Sequence, residues 1–411
     1  MTAIDRKRVA AWCLFDFANS SYSAVIAAVV FQVWYITVVA GNADGRGDLW
    51  WGRGISLSML LVSLSSPFIG GLADHAGVPK RLLGLYTALC VAAVASFSFL
   101  GRGDVLAGFL LLVAANIGME GGLVFYNAFL PKIAPPGMQG RVSAWGFGVG
   151  YAGSILSLLL ALPLARAGRF DAIWLVTAAF FALFSLPAFL FLPRDEATGA
   201  TAWQAARRGF DGALATLREI AARRDPRRFL LAYLVYEDGV NTVIVFSGSL
   251  AAVTFGFGQG ELILLYLVVQ TTALAGAFAL ARPIDAWGPR KVVTLSLLLW
   301  TTVSVSAYLI PGKAWFWGVA CVAGLGLGTV QAASRAFFSR FIPVGREAEY
   351  FGVYSLVGKT SAIAGPIMFG QISAAFGSQR PAILSIALFF AAGLILLSRV
   401  GGGGPAPVPR P

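Results

Sequence analysis

Asp16, Glu120, Glu237, Asp238, Arg335 and Lys359 are the side chains of this sequence best placed to do chemistry, because each is an ionisable group set within a long apolar stretch. A charge at the centre of a bilayer costs about 2.5 to 3.5 kcal/mol on insertion scales, so such residues persist where they find a partner, water or a passing solute. Asn19 and Asn241 stand three residues after Asp16 and Asp238, one helical turn away on the same face, and add neutral hydrogen-bonding groups. Asp16 and Asp238 suit either gate or substrate contacts, or acids that tie one helix to its neighbour. Glu120, followed by Gly121 and Gly122, is a candidate proton site, since an apolar setting raises a carboxyl pKa; the alternative is a pair with Lys359 or Arg335. Lys359 can bind a substrate carboxylate or form a permanent pair with Asp238 or Glu237. Arg335 can grip a carboxylate or phosphate with its planar fork, or form a structural pair near the inner surface.

The elements that must position these groups are membrane spans. The chain has 411 residues, 58% hydrophobic and 12% charged, against about 25% charged in an ordinary soluble domain. A span needs roughly 20 mostly apolar residues. The sequence predicts six spans near 9–40, 51–73, 81–100, 105–130, 142–165 and 172–192, and six more near 229–255, 262–281, 292–310, 314–338, 350–376 and 382–397. These stretches lack the apolar-polar alternation of a membrane β-barrel. The fold class expected is therefore an all-α membrane protein. At 1.5 Å per residue, Asp16 lies about 12 Å along its helix from Arg8, and Asp238 about 15 Å from Arg228, both at membrane depth. Trp50, Trp51, Trp315 and Trp317 flank spans and read as interfacial belt residues.

The net charge of +12 is a topology signal. Lys and Arg gather in the even-numbered loops, for example Lys80, Arg81, Arg207, Arg208, Arg290 and Lys291, whereas the odd-numbered loops hold only Arg46, Arg53, Arg102, Arg166, Arg169, Lys313 and Arg380. By the positive-inside rule both termini are expected to be cytoplasmic. No nucleic-acid partner is implied. Cys13, Cys90 and Cys321 fall within spans and imply no disulfide framework. No metal or cofactor is expected: there is a single histidine, His75, and no phosphate-binding G-x-x-x-x-G-K-[ST] loop. The same poverty of catalytic groups speaks against an enzyme, and any driving energy must come from a gradient.

Four correspondences in order divide the chain into similar halves. Asp16-Phe-Ala-Asn19-Ser20 is echoed by Asp238-Gly-Val-Asn241-Thr242. Asp74 with Gly77, Pro79, Lys80 and Arg81 is echoed by Asp285 with Gly288, Pro289, Arg290 and Lys291. Asn127-Ala-Phe129 with Pro135 matches Arg335-Ala-Phe337 with Pro343, and Tyr151 takes the register of Lys359. Duplicated bundles of this kind are a transporter signature, with sites near the midplane. The expected organisation is an N-terminal six-helix bundle at 1–192, a linker with an amphipathic helix at 193–226, a C-terminal six-helix bundle at 227–400 and a flexible tail at 401–411. In the linker, Trp203, Phe210, Leu214, Leu217 and Ile220 recur at helical spacing and are expected to lie on the membrane surface.

The acid, glycine and basic cluster after the second span resembles the signature loop of the major facilitator superfamily. A sharper resemblance, to the autophagy-related vacuolar amino-acid effluxer family, is carried by Asp16-Phe-Ala-Asn-Ser-Ser-Tyr22, Tyr126-Asn127-Ala-Phe-Leu-Pro131, Tyr236-Glu237-Asp238-Gly-Val-Asn241-Thr242, Gln331-Ala-Ala-Ser-Arg335 and Gly358-Lys359 before Gly365-Pro366. Phe15 and Phe17 stand where that family usually shows Tyr and Trp, and Glu237 where Asn is common. The resemblance implies a twelve-span facilitator fold, with the first, fourth, seventh and tenth spans lining a central cavity that brings Tyr126 and Asn127 to the site, and amino-acid export in the fungal members. It also makes Asp74, Arg81, Asp285 and Arg290 a conformational latch. The expectation is a monomeric secondary transporter of a small polar solute, with a proton as a possible coupling ion and membrane lipids as surroundings. A carrier of a lipid or lipid-linked substrate, or a receptor or scaffold without transport, are the rival readings.

Overall fold

The computed structural model describes residues 5–41, 46–196, 198–199 and 202–401; the expected tail beyond residue 401 lies outside the described residues. Among these the chain is helical, without strands. We number the spans α1 Arg6–Val39, α2 Arg46–Ala76, α3 Pro79–Ser96, α4 Val105–Ala128, α5 Gln139–Arg166 and α6 Phe170–Phe191. The second set is α7 Arg224–Ser249, α8 Gln259–Ala286, α9 Pro289–Leu309, α10 Lys313–Ser339, α11a Glu347–Thr360 with α11b Ala364–Phe376, and α12 Gln379–Ser398.

Among the described residues, eleven helices are long and apolar enough to cross a bilayer. The eleventh span of the sequence supplies the twelfth crossing in two pieces, α11a and α11b, where one continuous helix was expected. Pro366 accounts for the break: it has no N–H to donate to the Ala362 carbonyl, and its ring crowds that oxygen. Thr360 ends α11a, Ser361 folds back so that its hydroxyl donates to the Gly358 carbonyl at 2.7 Å, and α11b restarts at Ala364. α1 is distorted instead of broken, with wide π turns at Tyr22–Val29 and Tyr35–Val39.

The chain forms two compact units. Unit 1 comprises residues 1–135, 149–214 and 345–356; unit 2 comprises 136–148, 215–344 and 357–411. Each unit thus includes a helix start from the other half of the sequence, α11a in unit 1 and α5 in unit 2. Within unit 1, α3 packs on α4, α1 on α6, α2 on α4 and α3 on α6. Within unit 2 the corresponding pairs recur as α9 on α10, α7 on α12, α8 on α10 and α9 on α12. The duplication in sequence is therefore a duplication in packing.

The core of unit 1 is aromatic. Phe31 stacks on Phe97 at 3.8 Å and meets the edge of Trp174 at 5.1 Å. Trp51 is buried against Phe31 and Tyr35, so it is a core residue and not part of an interfacial belt, whereas Trp315 is exposed. Aromatic contacts of this kind add roughly 0.5 to 1.5 kcal/mol to the area they bury.

The linker helix, Ala202–Ala222, is docked on protein by a face of small residues. Gly209 lies so close to Leu72 of α2 that an added Cβ would stand 2.5 Å from the Leu72 backbone nitrogen, and Ala205, Ala213 and Thr216 are buried. Phe210 stacks on Phe68 at 4.9 Å. Of the apolar series read from the sequence, Trp203 and Phe210 remain exposed while Ile220 is buried, so the series does not form a single surface-facing stripe.

Candidate functional site

Each unit holds a buried acid within a long apolar helix, Asp16 in unit 1 and Asp238 in unit 2. In unit 1, Asp16 of α1 is buried, and the Asn19 side-chain amide donates to its Oδ1 at 3.4 Å. α5 crosses here on glycines. A Cβ at Gly150 would fall 3.5 Å from the Asp16 carboxyl carbon, and one at Gly153 would collide with the Phe17 carbonyl. Ser154 of α5 donates to the Ser20 carbonyl at 3.3 Å. α1 and α5 can approach this closely only because α5 carries no side chain at those two positions.

In unit 2, Asp238 of α7 is buried and takes the place that a cap would hold at the start of α11b. The Ala364 N–H donates to its Oδ2 at 3.1 Å and the Gly365 N–H to its Oδ1 at 2.9 Å. A broken helix leaves unsatisfied N–H groups within the membrane. A carboxylate meets them with charge-assisted bonds and with the favourable end of the helix dipole. Asn241 donates to the Ser361 hydroxyl at 3.2 Å inside the break, and Thr242 donates to the Asp238 carbonyl at 2.7 Å. Lys359 lies half-exposed in the last turn of α11a, where a cation suits the C-terminal dipole. Glu237 is buried on the next position of α7, near enough to Lys359 for their charges to attract.

Gly365 is the tightest point of this contact, since a Cβ there would collide with the Thr242 hydroxyl. Gly365→Ala is expected to push α11b off α7. Overpacking costs about 1 to 3 kcal/mol, so the thermal midpoint should fall by a few degrees and transport should be lost. Wild-type transport by that variant would show that the α7–α11b contact is not required.

The remaining candidates are placed as follows. Glu120 of α4 is half-buried and close enough to Tyr22 and Cys90 to act on both through its charge. Tyr22 donates to Asn116 at 3.3 Å, and Asn116 donates to the Ser58 hydroxyl at 2.7 Å, so a polar chain joins α1, α4 and α2. Tyr126 is fully buried under Trp12 at 4.5 Å, and its carbonyl accepts the Trp12 indole N–H at 2.9 Å; Asn127 beside it is half-buried. In unit 2, Tyr236 shares a hydrogen bond of 2.7 Å with Ser334. Arg335 is buried, donates from Nε to the Ser143 hydroxyl and from Nη2 to the Ser143 carbonyl, both at 2.8 Å, and lies 4.1 Å over the Phe147 ring. Ser143 in turn donates to the Ala332 carbonyl at 3.0 Å.

Asp74 and Asp285 hold equivalent helix starts. In unit 1 Asp74 accepts the Glu349 N–H at 2.9 Å, and Lys132 stands 3.4 Å from Glu347, which fixes the first turn of α11a. In unit 2 Asp285 accepts the N–H groups of Gly140 and Arg141 at 2.8 and 3.0 Å, which fixes the first turn of α5, and Arg141 Nε stands 3.7 Å away. Burial lowers the pKa of the nearby Arg340 guanidinium and the Asp285 charge opposes that shift. Arg81 and Arg290, grouped with these acids in the sequence, are engaged elsewhere. Arg81 pairs with Asp195 at 3.7 Å, and Arg290 donates to the Ser398 carbonyl at 2.6 Å.

Residues 54–401 match the family model described as vacuole effluxer Atg22 like. The chain belongs to that family. YxiO of Bacillus subtilis, described as an uncharacterized MFS-type transporter, is 27% identical over 96% of this chain and 95% of its own length. Autophagy-related protein 22-1 of Neosartorya fischeri is 26% identical over 64% of this chain and 48% of its own, so the chain matches about half of that longer protein. Among solved structures, the proton:xylose symporter XylE superposes with a TM-score of 0.75 at 12% identity, covering 95% of this chain and 94% of that one; this likeness establishes the major facilitator fold.

The Atg22-like chain is thus a multi-pass membrane protein and a major facilitator transporter, not an enzyme, and transporters of this superfamily bind small-molecule substrates. Sequence reading passed over three of its features. Ser143, which holds Arg335, sits in an unremarkable apolar-polar run with no signal of its own. Glu347 and Glu349, at the start of α11a, were legible as the acidic first turn that favours a helix N-terminus. The break at 361–363 was signalled by Pro366.

Proposed function

We propose that this transporter moves a small polar solute, an amino acid or related metabolite, across a bacterial cytoplasmic membrane by alternating access, with both termini cytoplasmic and the chain acting as a monomer. The observation that carries the reading is the matched pair of buried acids. Asp16 packs on the glycines of α5 and Asp238 on the glycine of α11b, each beside an asparagine one turn away. Asp16, Asn19, Glu120, Tyr126 and Asn127 are the substrate and coupling residues from unit 1, and Glu237, Asp238, Asn241, Arg335 and Lys359 those from unit 2. Lys359 offers a cation to a substrate carboxylate, while Asn19 and Asn241 offer amides to its remaining polar groups.

A discontinuous helix with an acid at its restart supports this assignment, because such breaks mark solute sites in transporters. Asp74 and Asp285 form the latch. Each stabilises the packing in which its helix start is docked, so the free energy of these three bonds biases the populations between which the protein must alternate. Uptake into proteoliposomes of radiolabelled amino acids, run beside translocation of headgroup-labelled lipid, separates the amino-acid reading from lipid carriage. Amino-acid uptake alone upholds the proposal, lipid movement alone replaces it, and movement of neither points to a receptor or scaffold.

Glu120 is the proton site in this scheme. Glu120→Gln cannot change its charge, so the variant is expected to exchange solute at the wild-type rate yet fail to accumulate it against a gradient when an acid-outside pH step is imposed. Accumulation that still follows the pH step would remove Glu120 from coupling.

A further inference from the structure

At one end of unit 1 the first turns of α1 and α3 meet the chain leaving α6. Two of the carboxylates there are occupied by backbone. Asp5 accepts the N–H groups of Lys7 and Arg8 at 3.0 and 3.3 Å and pairs with Arg8 Nε at 3.1 Å. Asp195 accepts the N–H groups of Lys80 and Arg81 at 2.8 and 3.0 Å. Lys80 is held in place by donating to the Leu192 carbonyl at 2.7 Å, and the opposite charge of Asp195 and the like charges of Arg194 and Arg8 act on it from nearby. Among the described residues no carboxylate pairs with Arg194 or Lys7 within salt-bridge distance.

Two clefts open between these helix ends and share Arg194. One, of about 460 Å³, is lined by Lys80, Arg81, Arg194 and Asp195 together with Gly84 and Phe189. The other, of about 540 Å³, is lined by Lys7, Arg8 and Arg194, by the carboxylates of Asp5 and Glu196, and by Leu190 and Phe191. Over the two clefts five cations, Lys7, Arg8, Lys80, Arg81 and Arg194, face three carboxylates, Asp5, Asp195 and Glu196, and two of the three are taken up by backbone N–H groups, so the remaining positive charge calls for an anion. The apolar walls specify which kind: Leu186, Leu190 and Phe191 are exposed along α6, a span, so the surface leading away from the basic groups is one that meets acyl chains and not water. A free phosphate would satisfy the cations and leave those walls bare.

We infer that the twin clefts bind the headgroup of an anionic phospholipid, with the phosphate between Lys80, Arg81 and Arg194 and the acyl chains along α6. Basic recesses between helix ends at a membrane face are suited to such headgroups. The site lies apart from the acids at membrane depth, and its occupancy does not depend on which solute is carried. It also gives Arg81, which the sequence grouped with the latch, a ligand of its own.

Native mass spectrometry of the purified protein tests this. The protein is mixed with phosphatidylglycerol or with phosphatidylcholine at equal concentration, and retained adducts are counted. Wild type should retain phosphatidylglycerol over phosphatidylcholine, and Lys80→Gln with Arg194→Gln should reduce that preference by roughly tenfold at an unchanged melting temperature. If the double variant does not fold, Arg81→Gln, whose side chain is 73% exposed, should give part of the same loss. No preference in wild type, or a preference untouched by any of these changes, overturns the inference. Displacement of phosphatidylglycerol by millimolar inorganic phosphate would also overturn it, since it would assign the clefts to the free anion.

Discussion

Asp238→Asn is expected to reduce transport by about a hundredfold while the protein still inserts and is recovered at normal yield. The carboxylate accepts the N–H groups of Ala364 and Gly365 with separate oxygens, and an amide can accept only one of them while turning an NH2 toward the other. Hydrogen bonds to charged groups contribute about 1.5 to 3 kcal/mol each. The loss of the charge and of one bond therefore amounts to about 3 kcal/mol, which is roughly two decades in rate if it falls on one state of the cycle. The fold should survive, because α7 remains packed on α12 and the Tyr236 to Ser334 bond is untouched. Solute uptake in proteoliposomes and a thermal melt of the same preparation check both halves of the expectation. Wild-type uptake by Asp238→Asn would remove this residue from the mechanism.

Asp74→Asn and Asp285→Asn should each slow transport by about tenfold, and the double variant more. Each acid holds the first turn of a helix through charge-assisted bonds to N–H groups, three in all between them. An acid at a helix N-terminus is worth about 0.3 to 1 kcal/mol from the dipole, and up to about 2 in partly buried geometry. Neutralising it weakens the docking of α11a or α5 without emptying a hydrophobic core. Stability should change little, which distinguishes this result from a folding defect. Glu261→Gln is the control: its exposed pair with Lys313 lies at the opposite end of α8 from Asp285, touches neither helix start and should leave the rate unchanged. Initial rates of uptake at saturating solute give the comparison, and rates equal to wild type in the double variant would contradict the latch.

Much of this was legible because the bilayer narrows the choices. Long apolar stretches have to be helices, and the echo of Asp16 with Asn19 in Asp238 with Asn241 pointed to duplicated halves; the helix pairs packed in one unit recur in the other. What was not legible depends on neighbours. Arg335 in sequence is a cation in search of an anion; its partners are a hydroxyl, a backbone carbonyl and a phenyl ring from the start of α5, and no spacing rule links residue 335 to 143. Trp51 was read as a belt residue because it starts a span, yet the π turns of α1 bring Phe31 and Tyr35 over it. The linker helix was read from its large residues, while its docking is governed by its smallest, Gly209.

The central claim is that the polar residues of α1 and α7 face a path that water can enter. Cysteine accessibility measures this directly: with Cys13, Cys90 and Cys321 replaced, Ser20→Cys and Asn241→Cys are tested in membranes with a small, charged, membrane-impermeant thiol reagent, beside Leu183→Cys and Leu388→Cys on exposed apolar surface. The account predicts that the two polar positions are modified and protected by transported solute, and that the two leucine positions stay unreactive. Reaction at Leu183 and Leu388 with none at Ser20 and Asn241 would contradict it.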